Sequence, residues 1–269
     1  MSNKVNNTII AGPCALEEGE VNFQIAQRLR DECVHLGFEY IFKASFDKAN
    51  RLSISSGRGI GINAAVEIFG EIKRSLGVSV TTDVHDLTQV EKVASAVDVL
   101  QIPAFLARQT DLIIEAARTG KIVNIKKAQF MTWSDAILAA EKAKNSGAKN
   151  VWLTERGSMY GYRDLVVDFR NIYELLKEDF SFFLDATHSV QRPGANLTAS
   201  GGDRQYVPTL VAAAGACGVT NLFFETHPDP NQSISDGPNM IPLDSAREIL
   251  IDFRNVLNYR ASNPLPLVR

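Results

Sequence analysis

Eight short apolar runs, rich in β-branched and aromatic residues, recur along the chain, and the stretches between them are mostly longer and helical in spacing. No other feature constrains the fold as tightly. The runs are Thr8–Ala11, Tyr40–Lys43, Val78–Asp83, Val97–Pro103, Lys121–Lys126, Asn150–Glu155, Ser181–Asp185 and Asn221–Glu225. Their near-continuous apolar character suits parallel strands covered by helices. Ile25, Leu29, Cys33 and Leu36 keep three- and four-residue spacing and stop at Gly37; Ala65, Ile68, Ile72 and Leu76 stop at Gly77. Asp86 is the expected N-cap of a helix carrying Val90, Val93 and Ala94. Leu112, Ile113 and Ala116 mark another, ended by Gly120. Ser134 or Asp135 is expected to cap the next, ended by Gly147, and a last helix runs near Leu243–Tyr259.

Eight βα units in 269 residues predict a single (β/α)8 barrel, residues 1–269, rather than an open sheet. The runner-up, a doubly wound dinucleotide-binding sheet, lacks GxGxxG after its first strand. The glycines of SSGRGIG at 55–61 follow a long loop after the second. No linker or low-complexity tract divides the chain.

Net charge is −3, so no global basic field favours nucleic acid or an anionic membrane, and any anion site must be built locally. No run approaches the ~18 apolar residues of a membrane span. The N-terminus MSNKVNNTII shows no leader pattern. Three cysteines, Cys14, Cys33 and Cys217, are too few and too odd for a disulfide framework and suit a reducing cytoplasm.

In a barrel of this kind the active site gathers at the C-terminal ends of the strands. Every predicted strand ends on a side chain capable of chemistry. Cys14 follows the first. Lys43, Lys48, Asn50 and Arg51 follow the second, Asp83 ends the third and Gln101 the fourth. Lys126 and Lys127 end the fifth, and Glu155 and Arg156 the sixth. Asp185 and His188 end the seventh, and Glu225 and His227 the eighth. Lys43, Lys48, Arg51, Lys126 and Arg156 would converge on one mouth, a mix of point charges and bidentate donors that suits phosphate. The plainer alternative is that several of them pair with Asp83, Glu155 and Asp185.

Strands seven, eight and one are neighbours in a closed barrel. Cys14, His188 and Glu225 could therefore meet, with Asp236 from the loop SISDGPN as a fourth group. Thiolate, imidazole and carboxylate suit a divalent transition ion such as Fe2+, Zn2+, Mn2+ or Co2+. A lone barrel cysteine is more often a small buried hydrophobe, the reading given to Cys33 and Cys217. His227 is an alternative ligand to His188; His85 in TDVHD either touches a substrate or caps its loop.

The stretches AGPC (11–14), FDKANR (46–51), TDVHD (82–86), LQIPAFLARQTDL (100–112), VNIKKAQF (123–130), LTERG (153–157), DATHSVQ (185–191), ETHPDP (225–230) and SDGPN (235–239) run through nearly the whole chain. In that order they resemble the 3-deoxy-D-manno-octulosonate 8-phosphate synthase (Kdo-8-phosphate synthase) family. The resemblance implies a (β/α)8 barrel assembled as a homotetramer. It also implies that phosphoenolpyruvate, arabinose 5-phosphate and water give the eight-carbon keto-sugar acid phosphate and inorganic phosphate, in a cell that makes lipopolysaccharide or a related polysaccharide. It assigns enolpyruvate binding to Lys43, Lys48, Lys126 and Arg156, with Gln101, Pro103 and Ala104 beside them. Asn50 and Arg51 take the sugar phosphate with help from a neighbouring subunit, and Gln191 joins the substrate-binding set. Cys14, His188, Glu225 and Asp236 match the ligands of the metal-dependent members, which carry cysteine in AGPC where the others have asparagine. Lys126, His188, Asp236 and Asp83 are the catalytic candidates.

One stretch departs from the family pattern: KANRLSISSGRG places Leu52 where a serine hydroxyl is expected near the sugar phosphate. Other readings are a sibling synthase using another aldose phosphate, such as erythrose 4-phosphate, a non-catalytic barrel that senses phosphometabolites, and a metal-dependent hydrolase. DKANR and ETHPDP favour the octulosonate branch.

Overall fold

In the computed structural model, eight parallel strands close into a barrel. They are β1 (Thr8–Gly12), β2 (Glu39–Lys43), β3 (Ser79–Asp83), β4 (Val99–Ile102), β5 (Ile122–Lys126), β6 (Asn150–Glu155), β7 (Ser181–Asp185) and β8 (Leu222–His227). Each pairs with the next, and β1 pairs with β8 through Ile9↔Leu222 to Gly12↔Glu225, which closes the ring. The structure describes residues 4, 7–51, 54–159, 164–193 and 201–266. Leu52 lies outside the described residues.

Helices α1 (Val21–Leu36), α2 (Ile62–Leu76), α3 (Leu87–Ala96), α4 (Thr110–Arg118), α5 (Trp133–Asn145), α6 (Phe169–Lys177), α7 (Val207–Ala216) and α8 (Leu243–Ser262) accompany the strands in sequence. Gly37 ends α1 and Gly77 ends α2, both in the left-handed conformation that glycine adopts without strain. Asp86 caps α3 by accepting from the Thr88 amide at 2.8 Å. The cap of α5 corrects the expectation of Ser134 or Asp135. Thr132 is the N-cap, and Asp135 is the reciprocal partner of its capping box. Helices α6 and α7 had no individual signature. Helix α7, VPTLVAAAGA, is too evenly apolar to show a stripe. Strand β8 runs two residues past its expected end because Ile241–Pro242 pairs alongside Thr226 and His227.

Strand period places the site. Ile10, Ile41, Val99, Trp152, Phe183 and Phe223 form an apolar plug inside the barrel, with Ile122 packed against it. Side chains two residues further along point the same way. From Ile41 this gives Lys43, from Val99 Gln101, and from Ile122 Asn124 and then Lys126. From Trp152 it gives Thr154 and then Arg156, from Phe183 Asp185, and from Phe223 Glu225. A polar layer therefore sits directly above the plug. At Gly12 a Cβ would fall 2.1 Å from the Lys43 carbonyl oxygen, so the close approach of β1 and β2 needs glycine there.

Candidate active site

Above the plug opens a cavity of about 350 Å³. Its wall includes Lys43, Lys48, Asn50, Asp83, Gln101, Pro103, Ala104, Lys126, Arg156, His188, Gln191 and Asp236, all singled out from the sequence. Arg51 is not in that wall. Its guanidinium donates to the Gly57 carbonyl at 2.8 Å, to Ser235 Oγ at 3.0 Å and to the Ile234 carbonyl, so it ties the β2 loop to the β8 loop. Lys127, adjacent in sequence to Lys126, points the opposite way and is buried beside Glu155 at 3.3 Å. Ser45, Asp47, His85, Phe105 and Gln129 also line the cavity. Ser45 follows the inward phase two residues past Lys43, a signal that could have found it. Gln129 had none.

The cations are held in two ways. Lys43 donates to Glu225 Oε1 at 2.8 Å and lies 3.9 Å from Asp83 Oδ2. Burial works against its charge, but Glu225 and Asp83 outweigh burial and hold the ammonium well above its usual value. Lys126 bonds Asp185 and sits 3.3 Å from the centre of the Phe223 ring. Here burial wins over Asp185, and the pKa falls to about 8. Lys48 and Arg156, by contrast, donate to neutral groups: Ser45 Oγ at 3.0 Å and Gln191 Oε1 at 2.8 Å. Arg156 Nη1 has no hydrogen-bond partner among the described residues although it is buried. The pairing alternative thus describes Lys43 and Lys126, while Lys48 and Arg156 keep donors for an incoming anion.

A chain of hydrogen bonds fixes the floor. Thr154 Oγ1 donates to Asn124 Oδ1 at 2.7 Å, Asn124 Nδ2 donates to Gln101 Oε1 at 3.1 Å, and Gln101 donates to Asp83, which also accepts from Ser45. Burial opposes ionisation of Asp83, yet Lys43 and Lys48 hold its carboxyl well below the usual range.

On the other side of the mouth, ligand atoms of Cys14, Glu225 and Asp236 all lie within 4.8 Å of one another. Cys14 donates to Asp236 Oδ2 at 3.2 Å. His188 stands outside that trio, with Nε2 3.8 Å from Glu225 Oε2 and Nδ1 2.8 Å from Asp185 Oδ2. A carboxylate behind an imidazole in this way orients the other ring nitrogen. Asp236 is held at φ +53°, a backbone region few side chains adopt, and its Oδ1 accepts from Gln191 Nε2 at 2.8 Å.

The donor set fits a divalent transition ion. Glu225 Oε2 is buried without a hydrogen-bond partner among the described residues. Burial, then Glu225, pushes the Cys14 thiol well up. Burial also opposes the Asp236 carboxylate, but His188 and Lys48 keep it ionised. A cation among these anionic acceptors would take the place of the thiol proton.

The model of the DAHP synthetase I family matches residues 3–257. The chain belongs to that family. The 2-dehydro-3-deoxyphosphooctonate aldolase of Chelativorans sp. (strain BNC1) is 49% identical over 249 residues, 93% of this chain and 90% of the relative. That of Nitrobacter hamburgensis is 51% identical over 237 residues, 88% of this chain and 83% of the relative. That of Fusobacterium nucleatum subsp. nucleatum is 50% identical over 242 residues, 90% and 87% respectively. These names agree with the family resemblance carried by the motifs. No helix of the described residues is long and apolar enough to cross a membrane.

Proposed function

We propose that the chain condenses phosphoenolpyruvate with arabinose 5-phosphate and water, giving 3-deoxy-D-manno-octulosonate 8-phosphate and phosphate. The observation that carries this reading is a cavity with two cations bonded only to neutral groups among the described residues, Lys48 and Arg156, facing a thiol–carboxylate cluster across the same mouth. The names of the relatives support the reaction class.

Lys48, Lys126 and Arg156 would hold the phosphate and carboxylate of the enolpyruvate, with Lys43 beneath them, and turn its vinyl carbon to the sugar aldehyde. Such positioning supplies a large part of the rate. Asn50, Gln101, Pro103 and Ala104 shape the wall around the two substrates. Cys14, His188, Glu225 and Asp236 would hold the divalent ion, which supplies Lewis-acid polarisation of an aldehyde or water oxygen. The vinyl carbon bonds to the aldehyde carbon, water adds at the phosphate-bearing carbon, and phosphate leaves with cleavage of its bond to that carbon. Lys126 would hydrogen-bond the departing phosphate through its ammonium. Asp83, bonded to Ser45 and Gln101, keeps Lys43 charged at the base of the cavity. A homotetramer in the cytoplasm completes the reading.

The test is incubation of purified protein and divalent ion with phosphoenolpyruvate and a panel of aldose phosphates. Phosphate release and product mass are followed. Release with arabinose 5-phosphate and the eight-carbon product are expected. Preference for erythrose 4-phosphate would assign the sibling reaction, and no turnover with any aldose would overturn the synthase reading.

A further inference from the structure

Gln191 lines the cavity between its cations and its thiol–carboxylate cluster. Its Oε1 accepts from Arg156 Nη2 at 2.8 Å, and its Nε2 donates to Asp236 Oδ1 at 2.8 Å. These partners decide which end of the amide is which. A guanidinium only donates, and an ionised carboxylate only accepts. Burial opposes the Asp236 charge, but His188 and Lys48 outweigh it. Turning the amide over would set its NH2 against the guanidinium and its oxygen against the carboxylate, so the side chain has one orientation.

Its backbone is held as well. Gln191–Arg192 pairs antiparallel with Gly201–Gly202, and the Val190 carbonyl accepts from the Asp203 amide at 3.1 Å. The short helical turn His188–Val190 runs directly into Gln191, so one turn delivers both His188 and Gln191 to the mouth. Asp236 comes instead from a loop, and among the described residues three side chains donate to its carboxylate. Cys14 at 3.2 Å and Ser235 at 3.0 Å reach Oδ2, and Gln191 reaches Oδ1. The thiol gives up its proton when a divalent ion binds, and Ser235 belongs to the same loop. Gln191 is then the donor that ties this carboxylate to a separate element of the barrel.

We infer that Gln191 is a positioning residue of the metal cluster: anchored by Arg156, its amide holds the Asp236 carboxylate in place for the divalent ion. The inference rests on the metal cluster proposed above. A group bonded behind a metal-ligating carboxylate fixes its direction, and losing such a group typically costs about 10–100-fold in metal affinity. The bond to Gln191 uses Nη2 of Arg156, which leaves the rest of the guanidinium to hold a phosphate.

The test uses Co2+ as the probe ion, because a cobalt–thiolate bond gives an absorption band that reports Cys14 at the ion. Chelator-stripped parent, Gln191→Met, Arg156→Met and the double variant are titrated without substrate. Methionine keeps the length of the glutamine side chain and removes both hydrogen bonds. Gln191→Met should bind Co2+ about 10–100-fold more weakly. A merely structural role would lower the urea midpoint and leave the Co2+ affinity of the folded protein unchanged. Charge alone predicts that removing the Arg156 cation tightens Co2+ binding. The anchor predicts weaker binding in Arg156→Met, with no further weakening once Gln191 is already Met. Parent-like Co2+ affinity in Gln191→Met overturns the inference and leaves the metal cluster standing. Tighter binding in Arg156→Met, by the same factor with or without Gln191, overturns the anchor. A parent without the cobalt–thiolate band overturns the cluster and the inference together.

Discussion

The two halves of the barrel mouth are built differently. From β2 to β6 the cations Lys43, Lys126 and Arg156 lie in phase with the apolar plug, and Asp83, Gln101, Asn124 and Thr154 bond across the strands beneath them. From β7 through β8 to β1 the cluster depends on a loop. Asp236 accepts from Cys14 while its backbone holds a left-handed conformation, and Arg51 clasps the same loop through Ser235 and Ile234. The first half is carried by the sheet itself, the second by a loop laid across it. Lys43–Glu225 is the ionic joint between them.

The largest effect is expected at that joint. Glu225→Ala removes a cluster carboxylate and leaves the buried Lys43 ammonium facing its lost partner. Breaking a buried pair costs about 3–5 kcal/mol. Urea unfolding should show a loss of that order together with loss of turnover; a loss below about 1 kcal/mol would mean that Asp83 alone carries Lys43.

The cation half should next reveal itself through pH. Lys126 binds its anion as the ammonium, which exists below its pKa, and burial sets that pKa at about 8. kcat/KM for phosphoenolpyruvate should therefore hold steady up to that pH and fall about tenfold per unit above it. A flat profile through pH 9.5, about 1.5 units beyond, would remove Lys126 from the phosphate site. The smallest effect belongs to the floor. Thr154→Val keeps shape but strands Asn124 Oδ1, at a cost of about 1–3 kcal/mol in unfolding free energy, read from urea denaturation. Turnover should change little, because the cations stand on their own strands. A loss of turnover matching Lys126→Met would show that the floor and the cations act as one unit.

This division also explains what was legible in the sequence. The strand-end side chains were readable because one strand period links Ile122 to Asn124 and Lys126, and Phe223 to Glu225. Cys14 and Asp236 came from the adjacency of strands seven, eight and one in a closed barrel, and the motif resemblance then matched the same set; periodicity could not reach them, since loops carry no period. Arg51 was expected at a phosphate and is found holding a loop; a side chain that long has several partners in reach. Lys127 shared the end of the fifth strand with Lys126 but was not among the cations expected at the mouth, and it faces the opposite way, beside Glu155. The cap at Thr132 was missed because three hydroxyl or carboxylate residues crowd the same turn.

The central claim is that both halves act on one reaction. The most direct measurement is turnover of phosphoenolpyruvate with arabinose 5-phosphate by chelator-treated protein, before and after a divalent transition ion is restored. Parent and Cys14→Ala are assayed side by side. Negligible phosphate release from the stripped parent, recovery with the ion, and little recovery in Cys14→Ala are expected. Full turnover by the stripped parent, with the eight-carbon product formed, would show that the cation half works alone and that the thiol–carboxylate half has no part in the reaction.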